Sequence, residues 1–273
     1  MDRHLADAVI ALVERAGTAI MDVYRTDFDV QTKDDASPLT RADLAAHNII
    51  ARGLAELTPE IPLFSEESAV PEFSRRQGWT RYWLVDPLDG TREFVNRNDE
   101  FTVNIALIDD HKPVFGVVGV PAQGVVYTGI PGQGAFRHAS GTRSEIGGCR
   151  RDESAPLVVV ASRSHGGERL ERYLAALAAE FGAVERTPVG SSLKLCILAE
   201  GRADLYPRLG PTSEWDIAAA HAVLAAAGGR VWAADGSALE YNRKDSVLNP
   251  EFFAVADAAY PWERRLPAVS AAD

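Results

Sequence analysis

The sequence predicts an α+β fold whose C-terminal half is α/β. Three observations carry this. Phe101 to Asp109, Pro113 to Val120 and Gly124 to Thr128 are β-rich runs joined by polar or Gly-containing turns, the mark of an antiparallel sheet. Two stretches of helical period precede them. After about residue 155, strand and helix alternate.

Each element has its own signal. Leu5, Val9, Leu12, Val13, Ala16 and Ile20 recur at helical spacing and give a first amphipathic helix. A polar stretch after Tyr24 leads through Lys33-Asp34-Asp35-Ala36-Ser37-Pro38-Leu39-Thr40. Thr40 with Asp43 has capping-box spacing, Asp standing in place of Glu, and a second helix runs to about Leu57. Thr58-Pro59-Glu60 stops it, and Pro62 to Ser65 reads as a short strand delivering Glu66 and Glu67. Tyr82 to Val85 reads as a buried strand. It is expected to end at Asp86, because Pro87 fixes its own φ and holds its predecessor extended. Gly90 allows close backbone approach, and Thr91 opens a short helix.

Further on, Gly132, Gly134 and Gly141 mark loops, and the charged stretch from Cys149 to Ala155 divides a first half, 1–150, from a second, 151–273. Leu157 to Ala161 is a strand ending at Ser162-Arg163-Ser164-His165. Leu170 to Phe181 and Ser191 to Glu200 read as helices, the latter stopped by Gly201. Ala203 to Pro207 is a short strand, and Trp215-Asp216 begins a long Ala-rich helix that stops at Gly228-Gly229.

Composition narrows the function. The chain has 273 residues and a formal charge of −11, which disfavours nucleic acid as a partner, since such binding rests on cations that neutralise phosphates. A small anion remains compatible if metals and a few local cations hold it. Cys149 and Cys196 show no zinc spacing and fit a reducing compartment. There is no signal-peptide core and no apolar run near the ~20 residues of a membrane span, so a cytoplasmic protein is expected.

The chemistry gathers at Trp83-Leu84-Val85-Asp86-Pro87-Leu88-Asp89-Gly90-Thr91-Arg92-Glu93-Phe94. Two carboxylates, Asp86 and Asp89, flank a turn with the Leu88 carbonyl between them, a hard-oxygen set suited to Mg²⁺ or Mn²⁺. The N–H groups at Gly90 and Thr91 would face an anion, as helix N-termini do. Other acidic residues are ambiguous by themselves. Glu66 fits a solvated turn, Asp43 a helix start and Asp216 a plain N-cap.

Asp-Pro-Leu-Asp-Gly-Thr-Arg-Glu-Phe, followed by Phe101-Thr102-Val103-Asn104-Ile105-Ala106-Leu107-Ile108, resembles the inositol monophosphatase superfamily. The Arg92-Glu93-Phe94 continuation is most similar to its 3′(2′),5′-bisphosphate nucleotidases of the CysQ type. Trp215-Asp216-Ile217-Ala218-Ala219-Ala220 resembles the second signature of the superfamily, and Ser65-Glu66-Glu67-Ser68 the segment whose first Glu binds metal. The resemblance implies the layered α-β-α-β-α sugar-phosphatase fold and direct hydrolysis of a phosphate ester with two or three Mg²⁺ ions. Asp86, Glu66 and the Leu88 carbonyl would hold one ion, and Asp86, Asp89 and Asp216 a second. Asp43 would order a third ion or the water, Thr91 would partner the attacking water, and Glu67 would play a supporting part. Li⁺ and Ca²⁺ inhibition, homodimers and, for some CysQ-type proteins, a place at the inner-membrane face are further family traits.

For substrate, Ser-Ser-Leu-Lys followed by Ala-Glu-Gly-Arg-Ala-Asp-Leu-Tyr-Pro-Arg resembles the substrate stretch of bisphosphate nucleotidases. The bland reading is a helix cap with a surface lysine and arginine. The resemblance instead implies that Ser162, His165, Ser191, Lys194 and Arg208 hold adenosine 3′,5′-bisphosphate by its retained 5′-phosphate. AMP would be the product, with 3′-phosphoadenosine 5′-phosphosulfate as a second substrate. An inositol monophosphatase or sugar-bisphosphate phosphatase, and a metal- and phosphate-binding regulator without catalysis, are the competing expectations.

Overall fold

Helix α1 (Arg3–Tyr24) buries the face carrying Val9, Leu12, Val13, Ala16 and Ile20, as its spacing requires. The computed structural model describes residues 2–27, 31–32, 38–162 and 167–269. The two-residue strands β1 (Gln31–Thr32) and β2 (Pro38–Leu39) pair antiparallel. Helix α2 (Arg41–Leu57) opens with the expected capping box of Thr40 and Asp43.

Strand β3 (Leu63–Ser65) and the one-turn helix α3 (Phe73–Arg76) lead into β4 (Arg81–Asp89). The expectation that this strand ends at Asp86 is corrected here. It pairs parallel with β3, continues past Pro87, and pairs antiparallel with β5 (Thr102–Asp109), Asp86 facing Asn104 and Asp89 facing Thr102. Three steps on β4 match two on β5, so one extra residue is absorbed as a bulge where Pro87 has no N–H to give. The sharp turn comes later, at Gly90, whose φ of 87° only glycine adopts readily, ahead of α4 (Thr91–Val95).

Strands β6 (Lys112–Val120), β7 (Val125–Ile130), β8 (Gly134–Ala139) and β9 (Thr142–Ile146) complete a seven-stranded sheet in the order β3-β4-β5-β6-β7-β8-β9. Gly134 therefore begins a strand, while Gly132 and Gly141 lie in turns; all three are at positive φ.

The chain then crosses to a second sheet through 147–156. Its elements are β10 (Leu157–Ser162), α5 (Gly167–Phe181), β11 (Val184–Val189), α6 (Leu193–Ala199) and β12 (Leu205–Arg208). Then come α7 (Glu214–Ala226), β13 (Arg230–Ala233), β14 (Phe252–Val255) and α8 (Trp262–Arg265). The strand order is β11-β10-β12-β14-β13, with β10 parallel to both neighbours and β14 antiparallel to both of its own. The α/β character is thus confined to one side of a mixed sheet.

Alternation along the strands builds the layers. Trp83, Val85, Val103, Ile105 and Val117 face α1 and α2 in one core. Leu84, Ala106, Ile108, Val118 and Val120 face the other way and join α6 and α7, which also cover Val160, Tyr206, Phe252 and Ala254 of the second sheet. Leu157, Val159, Leu205, Phe253 and Val255 pack beneath α5 and α8. The result is the expected α-β-α-β-α stack. Helix α7 has a sheet on each side, which is why it is Ala-rich all round rather than amphipathic. A methyl group on Gly116 would sit 2.1 Å from the Ala219 carbonyl oxygen, and one on Gly129 would sit 2.4 Å from the Val223 Cα.

Candidate active site

The bulge on β4 sets the first two carboxylates. Asp86 is 1% exposed, and its Oδ1 accepts the Leu88 N–H at 3.0 Å. Glu66 follows β3, which is tied to β4 by the Glu66 N–H to Val85 O bond of 3.1 Å. Asp216 comes from the first turn of α7. It is not the cap itself. Ser213 is the N-cap, and Asp216 sits at the third helical position, accepting the Ser213 N–H at 2.9 Å. Carboxylate oxygens of Glu66, Asp86 and Asp216 all lie within 4.8 Å of one another.

Three acids brought this close repel each other unless protonated or shared by a cation. Burial, then the charges of Glu66, Asp89 and Asp216, push the Asp86 carboxyl well above its ordinary range. Burial, then Asp89 and Glu66, do the same to Asp216. An oxygen-only, charge-dense pocket of this kind fits a hard divalent cation.

Asp89 stands just outside that triad. Its Oδ2 accepts the Ser192 N–H, and Thr102 Oγ1 lies 3.5 Å away. Burial pushes its carboxyl up to about 7, with Lys194 and the Ser192 N–H pulling the other way. Asp43, 1% exposed, accepts the Thr40 N–H at 2.8 Å and the Thr40 hydroxyl at 2.7 Å through Oδ2. Its other oxygen, Oδ1, is 3.4 Å from Thr91 Oγ1, which is also 3.3 Å from the Leu88 carbonyl.

A cavity of about 360 Å³ opens beside these groups. The first half lines it with Asp89, Gly90 and Thr91, and the second with Ser162, Ser191, Ser192, Lys194, Arg208 and Asp216. Lys194 is only 5% exposed, so it is not the surface lysine that composition alone suggests. Its ammonium donates to the Val189 and Ser191 carbonyls and lies 5.4 Å from the Tyr206 ring centre. Arg208 donates to the Gly210 and Pro211 carbonyls. His165, with Arg163 and Ser164, lies outside the described residues.

Thr102, Asn104 and Ser192 are not among the expected site residues, yet all three are buried, Thr102 and Ser192 beside Asp89 and Asn104 bonded to both of them. A signal was there: Thr102 and Asn104 are polar residues two apart in an apolar strand, hence on one face.

Comparison with known proteins bears on the fold and the family. A profile of the inositol monophosphatase family matches residues 1–264. The 3′(2′),5′-bisphosphate nucleotidase CysQ of Escherichia coli K12 is 51% identical over 250 residues, covering 91% of this chain and 98% of that protein. The protein of the same name from Haemophilus influenzae is 32% identical, covering 96% of each. Among solved structures, CysQ from Bacteroides thetaiotaomicron superposes with a TM-score of 0.82 at 39% identity, over 93% of this chain and 97% of that one. The extragenic suppressor protein suhB of Bartonella henselae, at 24% identity and a TM-score of 0.80, shares the fold over 99% of this chain and 100% of its own. Among the described residues no helix is long and apolar enough to cross a membrane. On fold, signatures and overall likeness, the chain belongs to the inositol monophosphatase family, whose enzymes are metal-dependent, typically on Mg²⁺.

Proposed function

We propose that the chain is a Mg²⁺-dependent 3′(2′),5′-bisphosphate nucleotidase. It removes the 3′-phosphate of adenosine 3′,5′-bisphosphate to give AMP, and by the same chemistry converts 3′-phosphoadenosine 5′-phosphosulfate to adenosine 5′-phosphosulfate, in sulfur assimilation. One observation carries the reading. Asp216 belongs both to the carboxylate triad and to a cavity lined by the buried Lys194 and the half-buried Arg208. A substrate with two phosphates needs that pairing of a cation-binding acid cluster with separate protein cations. The CysQ relatives named above support the same choice.

Within this proposal, two or three ions bind through Glu66, Asp86, the Leu88 carbonyl, Asp89 and Asp216. When bound, they supply charge neutralisation at the phosphate and a water of lowered pKa. The chain's own residues do the rest. Thr91 gives its single proton to Asp43 or the Leu88 carbonyl, so its hydroxyl oxygen is free to accept a hydrogen bond from the attacking water. The Gly90 and Thr91 N–H groups cradle the phosphate that leaves. Lys194 has three N–H donors and spends two on carbonyls, leaving one for the retained 5′-phosphate. Arg208, Ser162, Ser191 and His165 complete that grip. The division into halves, 1–150 carrying most metal ligands and 151–273 completing the site, is part of the same reading. A cytoplasmic home fits two free thiols, one of them exposed.

Phosphate release from adenosine 3′,5′-bisphosphate and from inositol 1-phosphate tests this. The nucleotide is expected to be preferred, and Lys194→Ala and Arg208→Ala to weaken its use far more than that of a small monophosphate. Equal losses on both substrates, or a wild-type preference for inositol 1-phosphate, would reject it.

A further inference from the structure

Three side chains form a closed hydrogen-bond ring behind Asp89. The Asn104 Nδ2 lies 3.3 Å from Thr102 Oγ1 and can only donate. The Asn104 Oδ1 can only accept, and it takes the Ser192 hydroxyl at 2.7 Å. That spends the one proton of Ser192. In the 2.9 Å contact between Thr102 Oγ1 and Ser192 Oγ, Thr102 must therefore donate. The protons run one way round, from Asn104 to Thr102 to Ser192 and back to Asn104. Asp89 Oδ2, 3.5 Å from Thr102 Oγ1, has the weaker claim on the Thr102 proton.

The ring spans the two halves. Thr102 and Asn104 lie on β5, while Ser192 caps α6. None of the three is more than 2% exposed, so water does not compete for these bonds. Ser192 also gives its backbone N–H to Asp89 Oδ2. Its neighbour Ser191 holds a φ of 47°, a conformation that non-glycine residues adopt only when held. Gly190 on the other side donates to Glu100 Oε2 at 2.8 Å.

We propose that Asn104, Thr102 and Ser192 act as positioning residues for Asp89. The ring fixes the Ser192 backbone, the Ser192 N–H occupies Oδ2, and Oδ1 is left as the oxygen offered to a cation. An amide closes such a ring because it carries donor and acceptor on one planar group, whereas an ionised carboxylate at 104 would leave Thr102 without its donor. The inference rests on the metal-site reading of Asp89 and Asp216, and its test separates the two.

The test is Mn²⁺ binding to the full-length protein, followed by electron paramagnetic resonance without substrate. Thr102→Val and Asn104→Ala are expected to bind about tenfold more weakly than wild type, the usual loss when a group supporting a metal ligand is removed. Thr102→Ser keeps the hydroxyl and is expected to restore binding. Asp216→Asn is the control. If it binds Mn²⁺ as wild type does, the metal site itself is misassigned. If it is weakened but Thr102→Val binds normally, or Thr102→Ser is as weak as Thr102→Val, the positioning role is overturned while the site stands. Should Asn104→Ala fail to fold, the Thr102 pair still decides.

Discussion

Thr91 Oγ1 lies 3.4 Å from Asp43 Oδ1, joining the start of α4 to the start of α2. Asp43 is already held by two donors from Thr40, so it is a fixed acceptor rather than a mobile one. A hydroxyl whose proton is directed inward presents its lone pairs outward. Thr91→Ala is expected to lower kcat by about 10²–10³-fold, in the range typical of groups that handle a proton in the transition state. Thr91→Ser should retain most activity, and steady-state kinetics on adenosine 3′,5′-bisphosphate would reveal it. A Thr91→Ala enzyme with wild-type kcat removes Thr91 from the mechanism.

Metal dependence gives a second prediction. Excess chelator is expected to abolish turnover and Mg²⁺ to restore it, while Asp216→Asn and Asp89→Asn lose activity by orders of magnitude yet keep the wild-type circular dichroism spectrum. Ca²⁺ should inhibit, because its larger and looser coordination misplaces ligands set for the tight octahedron of Mg²⁺. Turnover supported equally by Ca²⁺ in a titration against Mg²⁺ would contradict this.

Arg76 is wholly buried and ties the first half to the second. Its guanidinium donates to the Pro71, Lys244 and Asp245 carbonyls and to Asn242 Oδ1, and Asn242 Nδ2 returns a bond of 2.6 Å to the Arg76 carbonyl. Removing such a charged donor strands several acceptors. Arg76→Ala is expected to cost about 3 kcal/mol in urea unfolding. Arg76→Lys should rescue little, since an ammonium lacks the planar fork that serves four acceptors at once.

His221 on α7 gives a pH-dependent prediction. The Tyr241 hydroxyl lies 2.9 Å from His221 Nδ1, in a hydrogen bond whose donor depends on the tautomer of the ring. Burial lowers the His221 pKa from 6.5 to about 4. The unfolded chain thus takes up a proton below 6.5 that the folded chain refuses until about 4, so the contribution is present above 6.5 and lost as pH falls. Between pH 7 and pH 5 wild type is expected to lose about 2 kcal/mol that His221→Gln does not. Parallel unfolding curves for both proteins at the two pH values would refute it.

Much of the first half was legible because its signals are local. The period of α1, the capping box at Thr40 and the β-rich runs of β5 to β7 each lie within a few residues. The strands β8 and β9 were hidden by glycines that mark turns and strand starts alike, and β11 by its exposed Glu185, Arg186 and Thr187. The course of β4 past Pro87 is not legible, since a proline at a bulge and a proline at a strand end look the same in one dimension. Glu66 and Asp216 stand out from the sequence only through the signatures they lie in. Glu66 and Asp216 are 150 residues apart, and spacing alone cannot say that α7 returns to the end of β3. The ring of Thr102, Asn104 and Ser192 was invisible for the same reason.

Helix α7 has consequences beyond packing. It is the common wall of both sheets, and Gly116 and Gly129 let it lie almost against the backbone of one of them. The same helix carries Asp216 into the acid cluster. A fragment ending near residue 150 would leave one face of the seven-stranded sheet bare, and a fragment beginning there would leave α7 a wall with one room. Neither would inherit a working site. Shuffling these halves between relatives would therefore succeed only where the sheet glycines travel with the small side chains of the helix that they were fitted to.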